Sequence, residues 1–124
     1  MWALKISASV DKTIVGNIAK KHQVIVHLYP LLTNKVQNER RITYSGTVHG
    51  EQKQVKAFIS DLANLPQIEN LEVNENSFIG RYVEKAGYDQ FYNPEIIYIE
   101  PWVIDGTTGI HSLHLGSWDR QHLN

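Results

Sequence analysis

The sequence has no cysteine among its 124 residues, which excludes disulfide bonds, thiolate metal sites and cysteine nucleophiles. It also lacks an excess of either charge, because 12 Lys and Arg residues against 13 Asp and Glu residues leave a net charge of −1. The densest basic clusters are the pairs Lys20-Lys21 and Arg40-Arg41, which are too small for the basic footprint of a nucleic-acid or membrane surface. We therefore predict no direct nucleic-acid binding and no membrane association.

Long apolar runs are missing as well. No segment approaches the roughly 18 residues of a membrane span, and residues 1–6 (MWALKI) have neither an apolar signal core nor a cleavage pattern. A cytoplasmic location is therefore the expectation. With 42% hydrophobic and 20% charged residues the composition is that of a folded protein, and the length suits a single domain.

Motifs of catalysis and metal binding are absent. The sequence contains no Gly-x-Ser-x-Gly, no P-loop, no Gly-x-Gly-x-x-Gly and no His-Glu-x-x-His. Among the six histidines, His111 and His114 are three residues apart, a spacing that places them on opposite faces of a strand. We predict no catalytic residues, no metal ligands and no cofactor.

Hydrophobic periodicity supplies the positive signal. Trp2, Leu4, Ile6 and Ala8 alternate with smaller or polar residues, which predicts a half-buried strand. A helix is predicted over 14–21, capped by Asp11 or Thr13, and a second over 51–65, where apolar residues recur at i, i+3, i+4 and i+7. The remaining predicted strands cover 23–32, 40–48, 68–73, 77–83, 95–104 and 110–115.

The order strand-helix-strand-strand-helix-strand predicts the α+β class, with a ferredoxin-like β-α-β-β-α-β sandwich and a C-terminal β-hairpin extension. Residues 1–84 would form the ferredoxin-like core, residues 85–94 an aromatic loop, and residues 95–124 a C-terminal hairpin and the start of a helix. All three parts are expected to pack as a single domain. Trp102 and Trp118 are expected to anchor the C-terminal segment to the core.

The candidate ligand-binding residues lie on the sheet face that points away from the helices. Strand alternation places His27 and Tyr29 of the second strand there, with Thr43 and Ser45 of the third, and Lys5 and Ser7 of the first strand face the same way. A mixed polar and aromatic surface suits a small-molecule effector or a second subunit. The interpretation that we favour for this face is nevertheless that the C-terminal hairpin covers it and that Tyr29 packs beneath the hairpin.

Several segments, taken together, resemble one family. They are MWALKI at 1–6, KKHQV at 20–24, the predicted helix at 51–65, NLEV at 70–73, FYNPEIIYIEP at 91–101 and GSWDR at 116–120. The set resembles the N-terminal domain of prokaryotic, largely archaeal, helix-turn-helix transcriptional regulators of the bacterio-opsin-activator type. The resemblance implies a sensory or regulatory domain followed by a DNA-binding domain. The sequence departs from the family in ending at Asn124 and in having no cysteine, so no thiol-based role is implied.

Three functions remain open at this point. The first is a non-enzymatic regulatory domain that binds a small molecule or dimerises as a homo-oligomer, and it is favoured because catalytic motifs and a basic face are absent. The second is a small dimeric ferredoxin-like enzyme, with His27 as a base and Tyr29 or Tyr44 as a proton donor or orienting group. The third is a structural protein-interaction module, which would present a large apolar patch.

Overall fold

Two helices and one antiparallel sheet of eight strands make up the computed structural model, which describes residues 1–85 and 94–123. The α+β prediction is thereby confirmed. The helices are α1 (Ile14–His22) and α2 (Gln52–Ala63). The strands are β1 (Trp2–Ser9), β2 (Ile25–Val36), β3 (Glu39–His49), β4 (Ile68–Asn74), β5 (Ser77–Lys85), β6 (Ile97–Tyr98), β7 (Trp102–Asp105) and β8 (Ile110–Ser117).

The strands lie in the order β1-β8-β7-β2-β3-β5-β4, and every neighbouring pair is antiparallel. The short strand β6 pairs with the C-terminal part of β8, whereas β7 pairs with its N-terminal part. Strands β1 and β4 are therefore the two edges of the sheet. Within the described residues no helix is both long and apolar enough to cross a membrane.

Local signals explain where the helices begin and which side they bury. Thr13 caps α1, since its hydroxyl oxygen accepts a hydrogen bond of 2.9 Å from the Gly16 N–H. In α2 the buried residues are Val55, Phe58 and Leu62, which confirms the predicted helical stripe. Each of these side chains contributes roughly 1.5–3 kcal/mol by leaving water.

The hydrophobic core lies between the two helices and one face of the sheet. Alternate residues of the central strands supply the sheet's share, because side chains along a strand point to opposite faces in turn. The core residues from the strands are Val26, Leu28, Ile42, Tyr44, Val48, Phe78 and Ile104. The polar face of each of these strands is therefore turned away from the helices.

The ferredoxin-like arrangement is not confirmed, because the sheet is larger than that fold. The chain does follow the order β1-α1-β2-β3-α2-β4, and β5 lies between β3 and β4, both of which it pairs with. However, β8 and β7 separate β1 from β2 and place β1 at the edge. The physical reason is that the predicted C-terminal hairpin, β7 and β8, inserts its two strands between β1 and β2 and forms backbone hydrogen bonds with both.

The outcome for the C-terminal segment is mixed. Trp102 packs against the core, as predicted, but Trp118 is 75% exposed, so its predicted role as a core anchor is wrong. The predicted helix after Ser117 is a single 3-10 turn, Arg120–Leu123. The predicted aromatic loop at 85–94 falls almost entirely outside the described residues.

Candidate functional site

The four predicted ligand-binding residues share one face of the sheet, opposite the helices. In the β2–β3 register, His27 lies opposite Thr47 and Tyr29 opposite Ser45. After a β-bulge between Pro30 and Leu32, Thr43 lies opposite Leu32. Their predicted placement on this face, which we call the open face, agrees with the structure. Their role in binding a ligand stays a prediction.

The C-terminal hairpin does not cover the open face. Strand β7 pairs edge to edge with β2, so that Trp102 lies opposite the buried Leu28. The Trp102 ring is on the helix side, with its centroid 6.5 Å from that of Tyr44. The favoured interpretation, in which the hairpin packs over Tyr29, is therefore wrong, and Tyr29 is 47% exposed.

The same geometry removes one version of the enzyme hypothesis. Tyr44 is 9% exposed and belongs to the core on the helix side of β3. His27 faces the opposite side of the sheet. A proton cannot pass between these two side chains, so Tyr44 is not a partner for His27.

Two histidines lie together on the open face. The ring centroids of His27 and His49 are 4.9 Å apart in an edge-to-face arrangement, and the His49 Nε2 is 3.4 Å from the Thr47 hydroxyl. Burial and the neighbouring His49 lower the pKa of His27, so its ring is held neutral near pH 7. Residues 1–85 and 94–123 contain no group of three or more His, Asp or Glu residues that could hold a metal ion.

A small concavity of about 120 Å³ lies on the open face beside strand β1. We call it the β1–β8 pocket. It is lined by Lys5, Ser7, Glu100, Pro101, Ser112, Leu113 and His114.

The β1–β8 register explains why these side chains converge. Lys5 lies directly opposite His114, and Ser7 lies directly opposite Ser112. Facing residues of an antiparallel pair have Cβ atoms about 4.5–5.5 Å apart, so the four side chains form a compact cluster on the sheet surface. Glu100, just before β7, completes the wall with its Oε1 atom 3.4 Å from the His114 Nδ1.

The polar groups of the β1–β8 pocket are only partly satisfied by one another. The His114 Nδ1 is buried and makes no hydrogen bond in the described structure, although the Glu100 carboxylate is within ion-pair distance. Lys5 is exposed and has no carboxylate within ion-pair distance among the described residues. A buried polar atom without a partner is costly, so a bound molecule that supplied the missing partners would be stabilised here.

A second concavity, an open groove of about 370 Å³, lies between α1 and α2. Its polar groups already bind one another: Asp61 accepts hydrogen bonds from the His22 Nε2 at 2.7 Å and from the Lys21 Nζ at 3.1 Å. These two contacts, the one from His22 first, hold the pKa of Asp61 below its ordinary value. We therefore interpret this groove as part of the packing contact between α1 and α2.

Sequence reasoning found only part of the β1–β8 pocket. It placed Lys5 and Ser7 on the open face, and it separated His111 from His114 correctly, since their opposite partners in β1 are Ala8 and Lys5. The sequence analysis did not predict that β1 pairs with β8. None of the four predicted ligand-binding residues lines the pocket; the nearest, His27, is two strands from Ser112 in the same row across the sheet.

In comparisons with known proteins, no family model matches the chain, and no curated protein or solved structure is significantly similar to it.

Proposed function

We propose that the chain is a non-enzymatic regulatory domain of a transcriptional regulator, and that it binds a small polar effector in the β1–β8 pocket. One observation carries the proposal: an ammonium group, a carboxylate, two hydroxyls and a buried imidazole nitrogen converge on one concavity. Convergent polar groups in a concave site are the usual mark of a small-molecule site. The resemblance to helix-turn-helix regulators supports a regulatory role for this binding.

The chemistry of the pocket favours a zwitterion of the size of a small amino acid. Lys5 donates to an anionic group, and the Ser7 and Ser112 hydroxyls can donate to the same group. Glu100 accepts from a cationic group at the other end. The pocket volume of about 120 Å³ limits the ligand to a small molecule, such as an α-amino acid with a short side chain.

Binding in this pocket would act on the position of an edge strand. Lys5 and Ser7 belong to β1, whereas Glu100 belongs to the segment that leads into β7. A ligand that bridges these groups stabilises the contact between the two segments. Binding energy would thereby be converted into a more firmly held edge of the sheet, which is the kind of change a regulatory domain transmits.

Thermal unfolding with a panel of ligands tests the proposal. The panel contains glycine, alanine, serine and aspartate, with acetate and methylamine as half-ligands. A ligand that binds only the folded state stabilises it by about 2.7 kcal/mol at a hundred times its Kd, so we expect Tm to rise with the concentration of an amino acid and much less with either half-ligand.

Variants locate the effect. We expect Lys5→Met and Ser112→Ala to abolish the rise in Tm. Lys53→Met removes the same charge from the exposed surface of α2 and should leave the rise unchanged. The proposal fails if no amino acid raises the Tm of the unaltered chain, or if Lys5→Met responds as the unaltered chain does.

A further inference from the structure

Strand β1 is an edge strand whose outer side has no partner in the part of the chain that the structure describes. It pairs with β8 over all eight of its residues without a register shift. Its other side therefore presents a row of backbone N–H and C=O groups to solvent. Such a row is a template on which another strand can pair.

The two edges of the sheet differ in protection. Natural edge strands are shielded by bulges, charges, proline or short length. The opposite edge, β4, has a bulge between Ile68 and Asn70 and carries Glu69 and Glu72. Strand β1 has no bulge and no proline, and its one charged residue is Lys5. By this measure β1 is the less shielded of the two edges, since Lys5 is its only shielding feature.

Exposed apolar side chains accompany the unprotected edge. Met1 is 62% exposed, Trp2 53% and Leu4 38%. Trp118, at 75% exposure, follows the residue of β8 that faces Trp2. Exposed tryptophans next to an open strand edge are typical of a protein interface, because tryptophan is enriched among the residues that dominate binding energy.

We propose that β1 pairs antiparallel with β1 of a second copy of this chain, which joins two sheets into one across a two-fold axis. This inference does not require the proposed function, although both involve β1. In an antiparallel pair two facing residues lie on the same side of the sheet. The open faces of the two copies therefore match only if odd-numbered residues of one β1 face odd-numbered residues of the other. Each possible register can then be named by the sum of the numbers of two facing residues, which must be even. A sum of ten would place Lys5 against Lys5.

A sum of twelve avoids that repulsion and pairs residues 3–9 of each copy. Ile6 then lies on the axis, Lys5 faces Ser7 and Leu4 faces Ala8. Seven facing pairs form about six to eight backbone hydrogen bonds, which is within the range of about 10 ± 5 found in specific interfaces.

Charge complementarity supports the same arrangement. Arg120 lies over the Trp2 ring, 5.3 Å from its centroid, at one end of β1, and it has no carboxylate partner among the described residues. Asp11 follows the other end of β1, 54% exposed, with Lys20 at 3.4 Å. A sum of twelve places Trp2 against Val10, so Arg120 of each copy comes within reach of Asp11 of the other, twice per dimer.

Sedimentation velocity between about 1 and 200 µM tests the proposal. We expect a species of twice the 14.2 kDa chain mass. Leu4→Lys, at an exposed position of β1, should weaken the dimer at least about tenfold, since a lysine on an edge strand opposes pairing. Val73→Lys makes the same type of change on the β4 edge, where Val73 is 47% exposed, and should leave the dimer intact.

A charge exchange tests the antiparallel register. Asp11→Arg and Arg120→Asp should each weaken the dimer severalfold, and the double variant should restore it to within about threefold of the unaltered chain. Circular dichroism checks that each variant is folded. A monomer throughout the concentration range, a dimer indifferent to Leu4→Lys, a dimer lost in Val73→Lys, or a double variant weaker than both single variants each overturns the proposal.

Discussion

The ring of Phe78 packs directly over Gly46, in the middle of β3, and replacing Gly46 should disturb the core. The two residues face each other in the β3–β5 register. A Cβ atom added to Gly46 would lie 2.5 Å from Cε1 and 2.8 Å from Cε2 of Phe78, and closer still to Cζ. Normal carbon–carbon contacts are about 3.5–4.0 Å, so in Gly46→Ala the ring must move by roughly 1 Å or more within a packed core.

The expected loss of stability follows from two opposing effects. Overpacking a well-packed core costs about 1–3 kcal/mol. Replacing a strand glycine by alanine stabilises the folded state by about 0.5–1 kcal/mol, because glycine loses more backbone conformational entropy on folding. The difference between these ranges is about 0–2.5 kcal/mol. Because the added Cβ would overlap three atoms of the Phe78 ring, we expect the upper part of it, a free energy of unfolding lower by about 1–2 kcal/mol, which corresponds to a Tm lower by roughly 4–8 °C for a domain of this size.

Urea unfolding of a double-mutant cycle isolates the contact. Phe78→Leu removes the ring atoms that the new methyl group would meet, so Gly46→Ala should cost little in that background. The coupling free energy should be about 1–2 kcal/mol. Ser45→Ala, one residue away but on the open face, serves as the control and should change stability by less than about 0.5 kcal/mol. The reasoning is refuted if Gly46→Ala is neutral, or if its cost is the same with Phe78→Leu.

Two further predictions concern pH. Trp102 Nε1 donates a 2.9 Å hydrogen bond to His111 Nδ1, and burial lowers the pKa of His111 below 6.5. The unfolded state therefore binds more protons than the folded state, so the free energy of unfolding should fall as pH drops from 7.5 to 5.5. His111→Gln, whose amide oxygen can still accept this bond, should show a smaller fall by urea unfolding, and an unchanged fall would contradict the assignment. Asp61 has a pKa below 3.8, so its stabilising contact with His22 is present above that pH and is lost as pH falls through the lowered value. The difference in Tm between Asp61→Asn and the unaltered chain should therefore vanish well below pH 3.8, and a difference that persists there would show that the ion pair is not its cause.

The β1–β8 pocket and the β1 edge share one strand, which links the two proposals physically. The side chains of Lys5 and Ser7 point into the pocket, while the backbone of the same residues forms the edge. A ligand in the pocket would reduce the motion of β1 and so favour pairing with a second copy. The tests remain separate, because Leu4→Lys changes no pocket residue and Ser112→Ala changes no residue of β1.

The sequence by itself determined which residues form the helices and which face each strand residue occupies. The stripe of Val55, Phe58, Ile59 and Leu62 defined α2. Strand alternation placed His27 and Tyr29 on the face opposite the core. These features are local, because the helical period of 3.6 residues and the strand period of two follow from backbone geometry alone. The helix positions and the strand faces can therefore be inferred from the sequence of each segment alone.

Strand extent was less predictable. The predicted strands covered 23–32 and 40–48, yet β2 continues to Val36 and β3 begins at Glu39, so only Gln37 and Asn38 separate the two strands. Two local features make this possible: the bulge between Pro30 and Leu32, which accommodates the proline, and the left-handed backbone of Gln37, with φ 56°. Glycine and asparagine are the usual residues at a positive φ, so Gln37 did not mark the position of the turn in the sequence.

Only the tertiary structure decided how the strands are ordered, and with it the site. Trp2 pairs with Ser117, a contact that spans almost the whole chain and that no local pattern encodes. Several strands offered equally suitable apolar and polar faces, and the choice among them depends on which arrangement buries the most apolar surface while pairing the most backbone groups. That choice brought Lys5 and Ser7 against Ser112 and His114, and it left β1 at the edge of the sheet.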